Sequence, residues 1–314
     1  MAEARVRYRH CSSVQISDSE RLGADIPRIT RRDFVTGGAT TVFGSAMARP
    51  ASAGNRSTVV LIRDADALDD RSVVNTEVIQ RMLDRAVMEL FGGDSPQDAF
   101  RTIVSPDQTV GIKTNVWDHL PTPPEVENAI KRRVLDVGVP EERIGIDDRT
   151  VRSNPIFQNA DSIINVRPLR THYLSGVSGC MKNLIMFSES QPKWHPNSCQ
   201  DLGLLQTLPE VKGKLRLHVL CALTPQFHGR GAHHFSRRYV WNYKGLIVGT
   251  DVVAVDAVAL QLLMAKRTEV LGASRALPPV PIHIERADKV HGLGNSDMAN
   301  IDLVKLGWQE NILI

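Results

Sequence analysis

The sequence is poor in cysteine, with 4 among 314 residues: Cys11, Cys180, Cys199 and Cys221. No pair stands in a C-x-x-C spacing, so a ferredoxin-type iron–sulfur site is not expected. Three of the four follow residue 53, which allows at most one bridge and leaves a thiol free or metal-bound. No run of about 20 mostly apolar residues occurs, so no stable membrane span is expected. Beyond residue 53 the chain also lacks a charge surplus, carrying 30 basic and 30 acidic side chains. The formal net charge of +3 belongs to residues 1–53, which hold eight arginines, no lysine and five acids. A balanced chain without a basic face is a poor nucleic-acid binder, and no nucleic-acid partner is expected.

The arginine-rich segment has a pattern of its own. Thr30-Arg31-Arg32-Asp33-Phe34-Val35 precedes a weakly apolar, glycine- and threonine-rich run that ends in Ala51-Ser52-Ala53. A positive region, a short apolar region and an A-x-A-like end are the parts of a cleavable secretory signal. The arginine pair resembles the twin-arginine signal, read by a receptor that exports proteins already folded. Residues 1–53 are therefore expected to be a signal peptide that engages the twin-arginine translocase. Residues 54–314 are then one mature α/β domain, periplasmic or otherwise extracytoplasmic after cleavage near Ala53.

From residue 57 onward, short β-rich runs alternate with amphipathic ones. Ser57–Ile62 reads as a strand, and Thr76–Phe91 carries apolar residues at helical spacing until Gly92-Gly93 stops it. Further strands are expected at 109–112, 143–146, 162–166, 215–220 and 246–248. Further helices are expected at 124–137, before Pro209, and at 252–265. Strands separated by helices of this length imply crossover connections, hence an α/β fold with a mainly parallel sheet flanked by helices. The stretch from Pro192 to Arg238 is expected to be irregular, with loops gathered at one end of the sheet.

Five segments in order, "VGIKTN" (110–115), "GVPEERIGIDDR" (138–149), "LRTHYLSGVSGCMKNL" (169–184), "KWHPNSC" (193–199) and "GLIVGTDVVAVDAVALQLL" (245–263), carry a resemblance. Together they resemble the family catalogued as domain of unknown function 362, and within it the twin-arginine-exported branch. The resemblance implies a fold and a set of positions rather than a reaction. Some relatives append an iron–sulfur module that this chain does not carry. Many place an acid where this chain has Cys221, which removes that acid from any shared mechanism.

Ligands of parallel α/β sheets bind in the crevice beyond the carboxyl ends of the strands. Lys113 and Asn115 follow one such strand, and Asp148 and Arg149 follow another, so both pairs are expected at one crevice or, in the plainer reading, in loop-capping ion pairs. "SGVSGCMKN" forms a donor-rich turn whose successive N–H groups are suited to an anion. Lys182 and Asn183 follow it, with His172 before it. Lys182 would bind or activate a ligand, covalently if burial depresses its basicity, or else lie on solvated surface. Asp251 is expected to cap the helix at 252. Asp256 lies inside an apolar helix, where an acid is costly unless paired, and a partner such as Lys182 or Arg149 is expected.

His195, His218, His228, His233 and His234 lie near Cys199 and Cys221 in sequence, and imidazole with thiolate is a transition-metal donor set. His195, Cys199 and His228 are the expected metal ligands, whereas His218 reads as a core histidine. Two functional classes stay open beside a third reading, a structural exported protein whose histidines are incidental. One is an exported enzyme binding a metal or anionic cofactor, with Lys182, His172 and Asp256 in catalysis of a redox or isomerisation reaction. The other is a non-catalytic module for a small molecule or metal.

Overall fold

Alternation along Ser57–Arg63 (β1) divides its side chains between two faces, and the molecule is arranged around that division. Val60 and Ile62 enter one apolar cluster, and Val59 and Leu61 enter another. A computed structural model describes residues 56–229, 235–272 and 276–314. The expected signal peptide with its expected cleavage point, and His233 and His234, lie outside the described residues.

On the first face pack α1 (Thr76–Phe91), α2 (Pro96–Arg101) and α3 (Pro124–Val137). Asn75 caps α1 by accepting from the Val78 N–H, and Gly92 at φ 73° ends it. The bounds of α1 and α3 coincide with those expected from apolar spacing and stop signals. The strands beneath are β2 (Val110–Lys113), β3 (Ile144–Asp147), β4 (Ser162–His172), β6 (Leu215–Gln226), β7 (Gly245–Gly249) and β8 (Ile301–Gly307). β5 (Gly176–Ser178) folds back antiparallel on the end of β4, and the one-turn α4 (Pro155–Gln158) lies near β2 and β3.

The sheet order is β3-β2-β4-β6-β7-β1-β8. Every pairing along it is parallel except those of β7, which runs antiparallel to β6 and β1. The second face is covered by α7 (Val252–Leu271), α8 (Ile282–Lys289) and the short α5 (Cys180–Asn183). Apart from Asp256, the first turns of α7 are apolar on every side, as a helix with neighbours all round requires, because α7 lies between the sheet and the α5 and α8 segments. Asp251 caps it through the Val253 and Ala254 N–H groups, as expected.

β4 and β6 run well past the expected ends at Val166 and Leu220. Their continuations contain Arg167, Arg170 and Gln226, which interrupt the apolar run yet are buried. The expected helix before Pro209 is a tighter 3-10 segment, Leu202–Thr207, and 192–199 holds another such turn and the one-turn α6 (Pro196–Cys199). Among the described residues no helix is long and apolar enough to cross a membrane. The three described cysteines are buried and unbridged.

Candidate functional site

Parallel pairing brings the ends of β2 and β3 level with the middle of β4, with Lys113 opposite both Asp147 and Asn165, and β4 continues past them to His172. Lys113 is fully buried, and its ammonium donates to Asp148 Oδ1 at 2.5 Å and to the Thr114 carbonyl at 2.7 Å. The other Asp148 oxygen accepts from the Val116 N–H at 2.9 Å. Burial pushes Lys113 down to about 8, opposed by Asp148. Both Lys113 and Asp148 thus spend their charge on each other, and the ion pair joins the two strand ends.

The "SGVSGCMKN" turn is held by three polar side chains beneath it. Asp256 accepts from the Cys180 N–H at 2.6 Å and the Met181 N–H at 3.0 Å. The donor-rich turn therefore cradles an anion, but it is the chain's own carboxylate. This corrects the expectation of a lysine or arginine partner: Asp256 is fully buried under α5 and meets main-chain donors. Desolvation pushes its carboxyl up to about 7, against the pull of those N–H groups and of Arg167. Asn183 donates to Asn165 Oδ1 at 2.8 Å, and Asn165 donates to the Cys180 carbonyl at 2.9 Å. Asn165 also meets His218 Nδ1 at 3.1 Å. His218 is thus a satisfied core histidine, and burial pushes it down to about 3.

These bonds fix Lys182 in the wall of a cavity of about 360 Å³, which Asn115, Asp148, Arg149 and Asn183 also line. Five of the residues expected at one crevice are thereby together, with Lys113 directly behind. Asp256 stands behind the turn and is not part of the lining. Lys182 has no carboxylate partner among the described residues; its ammonium lies 3.4 Å from His195 Nε2. Burial pushes Lys182 down to about 8, assisted by Arg167 and Arg170 and opposed by Cys199.

The same wall holds three residues that pattern reading did not single out. Arg167 is 2% exposed and donates to the Gly179 carbonyl at 3.0 Å and to Ser178 Oγ at 2.8 Å, both neutral acceptors. Arg170 is 6% exposed, and its guanidinium stacks 4.1 Å from the centre of the Trp117 ring. Nε of Arg167, and Nε and Nη1 of Arg170, have no hydrogen-bond partner among the described residues. Burial, and for Arg170 the adjacent Arg167, push both guanidinium groups below their ordinary value. Arginine starts high enough to stay charged. The available signal was "NVRPLRTH": two arginines at the carboxyl end of an apolar strand, where the fold places ligands.

His172 sits next to this group without lining the cavity. Its Nδ1 accepts from the Leu174 N–H at 3.1 Å. Burial, then Lys182, Arg170 and Arg167, push it far down, so it is neutral. His195 is held below its ordinary value by burial and Lys182. Cys199 donates to the His195 main-chain carbonyl at 3.7 Å. His228 lies beside Arg267 and Tyr239 and lines a different cavity, with Thr171 and Pro279. Among the described residues no three His, Cys, Asp or Glu side chains form a group that could hold a metal ion.

Residues 71–261 match the family model described as Domain of unknown function (DUF362). That span is more than half of the chain, so the chain belongs to this family. No curated protein and no solved structure matches it.

Proposed function

We propose that this DUF362 member is an exported protein that binds a small organic anion, substrate or cofactor, in the cavity at the carboxyl ends of β2, β3 and β4. One observation carries the reading: Arg167 and Arg170 are buried facing that cavity, with N–H groups that have no partner and no ion pair among the described residues, because the nearby acids Asp148 and Asp256 are engaged by Lys113 and by main-chain N–H groups. A buried charge costs several kcal/mol unless it is paired, and each unsatisfied buried donor costs about 1–3 kcal/mol. An anion between them relieves both terms. Arg149 and Lys182 add to the positive wall, while Asp148, the acid in the lining, is neutralised by Lys113. The volume suits a small carboxylate or phosphate-bearing molecule.

Calorimetry on the mature protein tests this with oxalate and with glycerol as a neutral control. Oxalate is expected to bind and glycerol not to bind. Lys182 is charged below about 8 and neutral above it, so raising the pH from 7 to 9 is expected to weaken oxalate binding by roughly tenfold, the worth of one charge-assisted hydrogen bond. The absence of oxalate binding at pH 7 would remove the proposal.

Neutral His195, with Nε2 3.4 Å from the Lys182 ammonium, supplies a proton-accepting group at the cavity, which supports an enzyme of the redox or isomerising kind over a passive module. A transition-metal cofactor on His195, Cys199 and His228 has less support, since Cys199 turns its thiol to a main-chain carbonyl and His228 lines another cavity. Export rests on the leader sequence alone. Arg31→Lys with Arg32→Lys is expected to leave an unprocessed precursor in the cytoplasm, whereas the wild-type product begins near Gly54. Normal processing of the double variant would count against the twin-arginine route.

A further inference from the structure

Two lysines meet at this site, and the protein treats them differently. Lys113 is closed off behind the wall in an ion pair with Asp148. Lys182 lines the cavity and makes no ion pair among the described residues, and the guanidinium groups of Arg167 and Arg170 in the same lining disfavour its charge. Lys182 remains a cation below about 8, and desolvation beside like charges enlarges the fraction of neutral amine, which is the nucleophilic form. His195 Nε2 lies 3.4 Å from the amine nitrogen. As the nearer ring atom to a donor, it is placed to take a proton. His172, His283 and Cys199 also surround Lys182, the histidines neutral through burial and nearby cations and the thiol raised by burial.

We infer that Lys182 is a Schiff-base lysine for a small anion carrying a carbonyl group, such as a 2-oxo acid, with Arg167 and Arg170 holding the carboxylate and His195 moving the proton. The inference rests on the anion-binding reading and adds a covalent step to it. The amine lone pair adds to the carbonyl carbon, and one amine proton passes through His195 to the former carbonyl oxygen, giving a carbinolamine. The nitrogen lone pair then expels that hydroxyl. With the second amine proton, returned through His195, it leaves as water, and a neutral imine remains. Addition of water reverses the sequence, and no oxidant or reductant is needed.

The step is tested by incubating the mature protein with pyruvate and sodium cyanoborohydride, which reduces an imine to a stable secondary amine, followed by intact mass measurement and peptide mapping. One carboxyethyl adduct is expected, on Lys182. It is expected to be suppressed by excess oxalate, to be lost in Lys182→Arg, and to be far weaker with acetone, the neutral counterpart of pyruvate. The wild-type peptide map stands alone if the arginine variant fails to fold. Adducts spread evenly over surface lysines, or none on Lys182, would overturn the inference. In that event, retained oxalate binding by calorimetry would leave the anion site intact and locate the failure in the lysine chemistry, whereas loss of both would remove both.

Discussion

Gly179→Ala is expected to destabilise the fold by about 3 kcal/mol, in the range of the larger single-residue effects, and to lower the melting temperature by roughly 10 °C for a chain of this size. A Cβ at this position would stand 2.2 Å from Asp256 Oδ1 and 2.4 Å from its carboxyl carbon. Neither side has room to give. Asp256 is fully buried in α7 and is held by two main-chain donors of the turn that Gly179 begins. Moving the carboxylate away would strand it in the core and leave the Cys180 and Met181 N–H groups unpaired, while moving the turn would displace Lys182. Thermal unfolding measures the effect, and an alanine variant as stable as the wild type would show that the turn and Asp256 do not interlock. Asp256→Asn is the gentler comparison, since the amide keeps one acceptor and loses the other.

The same pair of proteins separates the pH dependence. Burial raises Asp256 from 3.8 to about 7, so the folded state holds this proton to higher pH than the unfolded chain. The stability linked to it is fully present below about 4 and is lost as the pH rises through about 7. Subtracting the stability profile of Asp256→Asn from that of the wild type should leave this downward slope, free of the other carboxylates.

How far the molecule was legible in its sequence depends on what each residue meets. α1 and α3 were readable to the residue because apolar spacing and stop signals are local. The antiparallel direction of β7 was not, since a short apolar run reads the same either way, and β8 lies beyond the segments that carried the pattern. Strand ends failed for a more instructive reason: Arg167 and Arg170 look like the end of a buried strand, and they are instead its continuation into the cavity wall. Lys113, Asn115, Asp148, Arg149, Lys182 and Asn183 were readable as one group because the position of a strand's carboxyl end follows from the fold class. Asp256 was recognised as a costly buried acid, but its partners are main-chain N–H groups, which carry no residue signature.

Arg170→Leu is expected to act in opposite directions on stability and on binding. The substitution removes a buried charge whose Nε and Nη1 have no partner among the described residues and keeps an apolar side chain against Trp117. Replacing buried charge by apolar volume is commonly neutral or stabilising, by up to a few kcal/mol. About 0.5–2 kcal/mol is lost with the cation–π contact, so the unliganded melting temperature should hold or rise. A hydrogen bond to a charged group contributes about 1.5–3 kcal/mol, so oxalate affinity should fall by roughly 10- to 100-fold. Arg167 is the less clean probe, because it also bonds Gly179 and Ser178 and so supports the turn.

Calorimetric titration of oxalate into wild type and Arg170→Leu, beside the melting curves of the two unliganded proteins, tests the anion site most directly. The leucine variant is expected to be at least as stable as the wild type and deficient in oxalate binding. A variant that is less stable and binds oxalate as tightly as the wild type would contradict the anion site.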